Sequence, residues 1–208
     1  KSIIKIYGIK FANFGYKKNL ITGKVFGKKF KTKISNNYDN INFKLINSGI
    51  SADINFDKNK KNNFAKGVFK SKILNTNLKF DFNYDNKKLN ISNSYLRNKN
   101  ISFEGRSEII FNPFIDLQSK IKIKEVNFEN LKKVNLNKLL EEKNIIKKIN
   151  SKNNISFKSK KFSRNLVDEL NLKIELAYGR MNYFKKFSIS DNLFQCQGNT
   201  NLLEEYPL

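Results

Sequence analysis

The chain has 208 residues and a mass of 24.3 kDa, with 39% hydrophobic residues, 41 Lys plus Arg against 18 Asp plus Glu, and a formal charge of +23. That length suits one domain or a slice of a longer polypeptide, and the chain is read as the latter because it opens on Lys1 without an initiator Met or leader. With no His and a single Cys, His-dependent dyads, His-ligated metals, Cys-based zinc ribbons and an internal disulfide are all excluded, and no apolar run is long enough for a membrane-spanning helix.

The charge makes a polyanion the first partner to weigh. Its composition argues otherwise: 37 of the cations are Lys and only Arg97, Arg106, Arg164 and Arg180 are Arg, whereas the planar guanidinium is the usual fork for phosphate and guanine. Asn, Ile and Phe are abundant too, so Lys reads as the polar surface residue of an AT-rich coding sequence. In Lys120-Ile121-Lys122-Ile123-Lys124 the charges alternate with apolar residues and share the wet face of a strand. Lys44, Lys79 and Lys173 sit likewise between apolar neighbours, so no nucleic-acid partner is expected.

From the N-terminus, Gly23-Lys24-Val25-Phe26-Gly27-Lys28-Lys29 faintly resembles a phosphate loop. It is one residue short, lacks the Ser or Thr after the Lys and precedes no helix, so it reads as a β-turn. Period-two alternation then takes over: Ile41, Phe43 and Leu45; Ile50, Ala52, Ile54 and Phe56; Leu78, Phe80, Phe82 and Tyr84; Leu89 and Ile91. Ile101 with Phe103, Ile109 with Phe111, and Leu117 through Ile121 and Ile123 continue it. Asn36-Asn37, Asn47-Ser48-Gly49, 57–63, Asp85-Asn86 and 98–100 supply turn chemistry between the runs. Roughly a dozen strands at such even spacing predict an antiparallel meander.

Over 128–150 the period changes. Leu131, Leu136, Leu139, Leu140, Ile145, Ile146 and Ile149 fall three and four apart, which predicts one or two short amphipathic helices. Alternation resumes at Ile155 with Phe157, Leu170-Leu172-Ile174-Leu176, and Phe187 with Ile189. The expected organisation is one β-rich segment, 1–208: a meander over 1–127, a helical insertion over 128–150 and C-terminal strands over 151–208.

Catalytic chemistry finds little support. Asp53/Asp57, Asp81/Asp85 and Glu104/Glu108 are spaced for acid–base or metal work, but alternation puts Asp53 and Asp57 on the wet face and Asp85 in a turn. Cys196 reads as a small core residue. The Asn-Ile-Ser triplets at Asn90, Asn100 and Asn154 read as strand openings. The expectation is a protein without enzymatic activity, cofactor or metal. What stands out is the apolar face: 19 Phe and 8 Tyr with no Trp, spread over many strands. It fits either the core of a closed sandwich or an open, curved sheet whose apolar side holds acyl chains.

Residues 100–208 carry a resemblance. Asn112-Pro113-Phe114 is followed by Asp116-Leu117-Gln118-Ser119-Lys120-Ile121-Lys122-Ile123, a Leu-rich piece, and the strand ending Asn154-Ile155-Ser156-Phe157. Then come Leu170-Asn171-Leu172-Lys173-Ile174-Glu175-Leu176, the turn Gly179-Arg180-Met181, and Phe187-Ser188-Ile189-Ser190. This order resembles the C-terminal portion of the AsmA-like family of bacterial envelope proteins, which are similar to bridge-like lipid-transfer proteins. Met181 stands where Leu is commoner in that family, and residues 1–99 match it only in strand style. The resemblance implies a non-enzymatic protein on the periplasmic side of the inner membrane, held by an anchor outside this chain. It implies a role in outer-membrane assembly or phospholipid transport.

The combined expectation is a mainly β fold: an extended antiparallel meander sheet curved into an apolar groove, with a short helical insertion near 128–150. Phospholipid acyl chains would be the ligand. The expected lining is Ile54, Phe56, Leu78, Phe80, Phe82, Ile101, Phe103, Ile121, Ile123, Leu172, Ile174 and Leu176. A β-sandwich or adhesin-type scaffold and a basic polyanion-binding module are the alternatives.

Overall fold

A computed structural model describes residues 6–57, 65–127, 149–159 and 166–202. They form one sheet of fourteen strands, each hydrogen-bonded to its neighbours in sequence and none closing the ends on each other. The strands are β1 (Ile6–Ala12), β2 (Leu20–Val25), β3 (Lys28–Ile34), β4 (Asn40–Leu45), β5 (Ile50–Phe56), β6 (Ala65–Ile73) and β7 (Thr76–Tyr84). They continue with β8 (Lys88–Arg97), β9 (Ile101–Ile110), β10 (Ile115–Val126), β11 (Ile149–Lys158), β12 (Glu169–Ala177), β13 (Arg180–Ile189) and β14 (Asn192–Asn201).

Local chemistry explains the strand ends. The Asp85 carboxylate accepts the backbone N–H groups of Lys87 and Lys88 at 3.2 and 2.9 Å, and Asn98 Oδ1 accepts those of Asn100 and Ile101 at 2.8 Å. Such Asx geometry supplies backbone bonds that a further strand residue would otherwise need. The phosphate-loop look-alike is the two-residue hairpin between β2 and β3, with φ of 50° at Phe26 and 74° at Gly27. Positive φ at both central residues turns the strands with the twist of the sheet.

One expectation needs correction, and a second needs it only at its end. The meander is antiparallel except at one place: β10 and β11 run parallel, from Ile115 beside Ile149 to Ile123 beside Phe157. The intervening stretch, 127–148, is long enough to return the chain to the rim where β10 began, which a tight hairpin cannot do. The helical expectation over 128–150 lies outside the described residues as far as 148, while Ile149 and Asn150 are strand residues opening β11. Their strand pairing overrides the helical spacing at that end.

The sheet is a single layer among the described residues. Only Val25, Phe30, Leu45, Val126 and Phe157 are buried apolar side chains, and none is buried to below 2% exposure. Val25, Phe30 and Leu45 form one small cluster, with Ile21, Phe43 and Ile50 against it. A strand in a two-layer sandwich buries one whole face against the other sheet; here that face is covered only by its own neighbours.

Candidate functional site: a one-sided apolar face

Directly opposed residues on paired strands point to the same side, so the register fixes the faces. All twelve expected lining residues fall on one side. On β4 to β7, Ile41, Ile54, Phe69 and Phe80 stand in one row, with Phe56, Gly67 and Phe82 in the next. Farther along, Leu78, Leu96, Phe103, Ile123, Phe157, Leu170, Phe187 and Phe194 form an unbroken apolar row across eight strands. At strand spacings of 4.7–4.9 Å that row is about 34 Å long and runs perpendicular to the strands.

Ile121 and Leu172 occupy the adjoining row with Ile155, Ile174 lies one row beyond, and Leu176 one further. Ile101 pairs with Val126 at the end of β9. Leu96, Phe157, Leu170, Phe187 and Phe194 belong to the long row and were missing from the expected lining. Leu96 was masked by a register shift between Ile91 and Ser94, where Asn93 takes φ of 49° and breaks the period of two. Phe157, Leu170 and Phe187 alternate visibly in the sequence, whereas Phe194 follows Leu193 directly and shows no period.

Aromatic contacts tie neighbouring strands together along the rows. Phe69 and Phe80 stack with centroids 4.7 Å apart, and Phe187 and Phe194 stack at 5.2 Å. Phe56 and Phe82 meet edge to face at 5.8 Å above Gly67. An apolar hollow of about 460 Å³ lies over β5 to β9, lined by Ile54, Phe56, Ala65, Phe69, Phe80, Phe82, Tyr84, Leu89 and Phe111.

The apolar face is not uniform. Two rows from the long one, beyond Ile121, Ile155 and Leu172, runs a polar stretch, Ser107, Ser119 and Asn153, which ends on Ile174. The Ser119 hydroxyl donates to Asn153 Oδ1 at 2.6 Å, and Asn153 Nδ2 donates to Ser151 Oγ at 2.9 Å. These side chains satisfy one another, which keeps the cost of covering them low. Lys185 also rises on this side, with its ammonium 4.5 Å from the centre of the Phe187 ring.

On the opposite side stand the charges. Glu104 pairs with Lys124 at 2.6 Å and Glu108 with Lys88 at 3.1 Å, while Asp53 Oδ1 accepts from Asn42 at 2.6 Å. The carboxylates once weighed for acid–base work are thus engaged by local partners, and Asp85 is a turn acceptor. No cluster of three or more metal-ligating side chains occurs among the described residues. This side holds the larger hollow, about 900 Å³ over β8 to β12, whose lining includes Arg106, Lys120, Lys122 and Lys173 beside Glu104. The sheet is therefore hollowed on both sides, and the larger hollow is lined by cations that alternation alone leaves dispersed.

Three smaller readings change. Cys196 is exposed on β14 rather than a core residue, because nothing among the described residues pairs with the outer side of that strand. Its hydrogen bond and charge hold the Tyr183 hydroxyl above the usual tyrosine range. Asn90 lies within β8 and Asn154 in the middle of β11, so of the three triplets only the one at Asn100 opens a strand.

Comparison of the chain with protein-family models, curated proteins and solved structures gives no match.

Proposed function

We propose that this chain is a non-enzymatic lipid-handling segment of AsmA-like type that holds phospholipid acyl chains against its apolar face. One observation carries the reading: a row of apolar side chains unbroken across eight strands, with no second layer over it among the described residues. Large exposed apolar surfaces on a single chain mark binding surfaces. Each Å² of that surface covered by an acyl chain is worth roughly 25 cal/mol. The long row gives the chain a direction, across the strands, while two rows away Ser119 and Asn153 bond each other and need no ligand partner. The resemblance supports extending the proposal to the bacterial envelope, on the periplasmic side of the inner membrane, with a membrane anchor outside this chain.

Native mass spectrometry with lipid extraction tests this. Phospholipid that stays with the purified chain at high salt is the expected result. Phe80→Asp and Ile174→Asp abolish its retention in protein that keeps its β-sheet circular dichroism, whereas Lys79→Asp and Lys173→Asp do not. Equal retention by all four variants would overturn the assignment of the face.

The basic hollow on the opposite side favours a second reading, a polyanion held by Arg106, Lys120, Lys122 and Lys173. Binding of that kind falls steeply with salt, because phosphate contacts release counterions. Polyphosphate or oligonucleotide that leaves at high salt while lipid stays would separate the two sides.

A further inference from the structure

The turns at the two rims of the sheet differ. One rim carries the described turns 13–19, 35–39, 85–87, 111–114 and 178–179; the other carries 26–27, 46–49, 74–75, 98–100 and 190–191, together with 159 and 166–168 between β11 and β12. On the first, among the described residues, stand six exposed aromatics: Phe14, Tyr16, Tyr38, Phe111, Phe114 and Tyr178, between 45% and 87% exposed. On the second, among the described turn residues, there is one, Phe26. The parallel pair β10–β11 creates the asymmetry in part, because it returns the chain to the first rim and so puts the Tyr178 turn there.

The first rim also presents lysines beside its rings. Lys17, Lys18 and Lys87 stand in its turns, and the Lys17 ammonium lies 5.7 and 5.5 Å from the Phe14 and Tyr16 ring centres. Its described acids are occupied: Asp39 accepts from Ser35 Oγ at 2.7 Å, Asp57 lies 3.7 Å from Lys66, and Asp85 caps its own turn. Rings at loop tips with ammonium groups beside them suit the headgroup level of a bilayer, where Tyr rings concentrate and Lys meets anionic lipid. The formal charge of +23 favours the same surface.

We infer that this aromatic rim docks edge-on onto an anionic lipid surface. The inference goes beyond acyl-chain binding on the sheet face and does not depend on it. Retention of lipid by the detergent-free chain is measured without vesicles, so either proposal can fail alone.

The chain has no Trp, so single reporters are unambiguous. Tyr38→Trp and Tyr178→Trp report from the aromatic rim, and Phe26→Trp from the opposite one. With phosphatidylglycerol–phosphatidylcholine vesicles, the first two reporters shift to the blue and are quenched by brominated acyl chains, and Phe26→Trp is not. A triple variant, Phe14→Ser, Tyr16→Ser and Phe114→Ser, alters only turns and weakens vesicle flotation by at least about tenfold. Its circular dichroism is unchanged. Equal quenching at Phe26→Trp, flotation without any reporter responding, or no flotation at all would each overturn the inference.

Discussion

Phe157 is the most enclosed apolar side chain of the described residues, at 3% exposure, while Phe194, in the same row, is 46% exposed on the last strand. Phe157→Ala should therefore cost about 3–5 kcal/mol in urea unfolding, and Phe194→Ala about 1 kcal/mol or less. Gly67 is a second sensitive point. A methyl group there would run into the Asn55 carbonyl, which is backbone and cannot step aside. Gly67→Ala should destabilise by about 1–3 kcal/mol, visible as a lowered unfolding midpoint. Titration adds a direction. The hydrogen bond and charge of Glu169, 2.6 Å away, hold Lys158 above the usual lysine range. The folded state then binds that proton more tightly, so the pair's contribution is complete below the ordinary lysine value and is lost as pH climbs through the raised one. The pair is exposed, so salt should shrink the effect. In Glu169→Gln the alkaline limb of stability against pH should flatten.

Between neighbouring strands, the contrast of apolar and polar rows decides how much of the face is greasy. Ser119 and Asn153 face each other on the parallel pair and satisfy each other. Ser119→Val alone strips Asn153 Oδ1 of its donor and should cost about 1–3 kcal/mol. Ser119→Val with Asn153→Val removes both partners, so its stability should lie closer to the parent, and the broadened apolar surface should retain more lipid. A double variant holding less lipid than the parent, with its fold intact, would put the acyl chain somewhere other than this face. The same strands show what alternation reveals. The run from Leu78 to Tyr84 displays its face in the sequence because β7 pairs with β6 in unbroken register. Tyr95-Leu96 does not, because the shift before Ser94 moves Leu96 onto the face that a constant period would assign to Tyr95.

Across the whole molecule, every strand pairs with the strands before and after it in sequence, so stability propagates between neighbours as in a repeat protein. Leu45→Ala should loosen hydrogen exchange over β3 to β5 while leaving β9 to β12 protected; uniform loss would mean the sheet unfolds as one unit. The surplus charge works against compactness throughout, and added salt at low ionic strength should raise the unfolding midpoint by screening it.

The sequence by itself determined the class of fold and the composition of the two faces. Period-two alternation is local, and it stays legible wherever side chains point alternately to one apolar and one solvated side. Hence Ile54, Phe80, Ile121 and Ile174 could be assigned to one side from their neighbours alone. Tertiary structure alone decided the rest. Only register puts Phe103, Ile123, Phe157 and Leu170 into one row, since alternation says nothing about which residues of two strands meet. Only the parallel return of β11 sets the Tyr178 turn on the rim with Phe14 and Phe114. Pairing direction depends on where a connection ends in space, and no local pattern of side chains encodes that position.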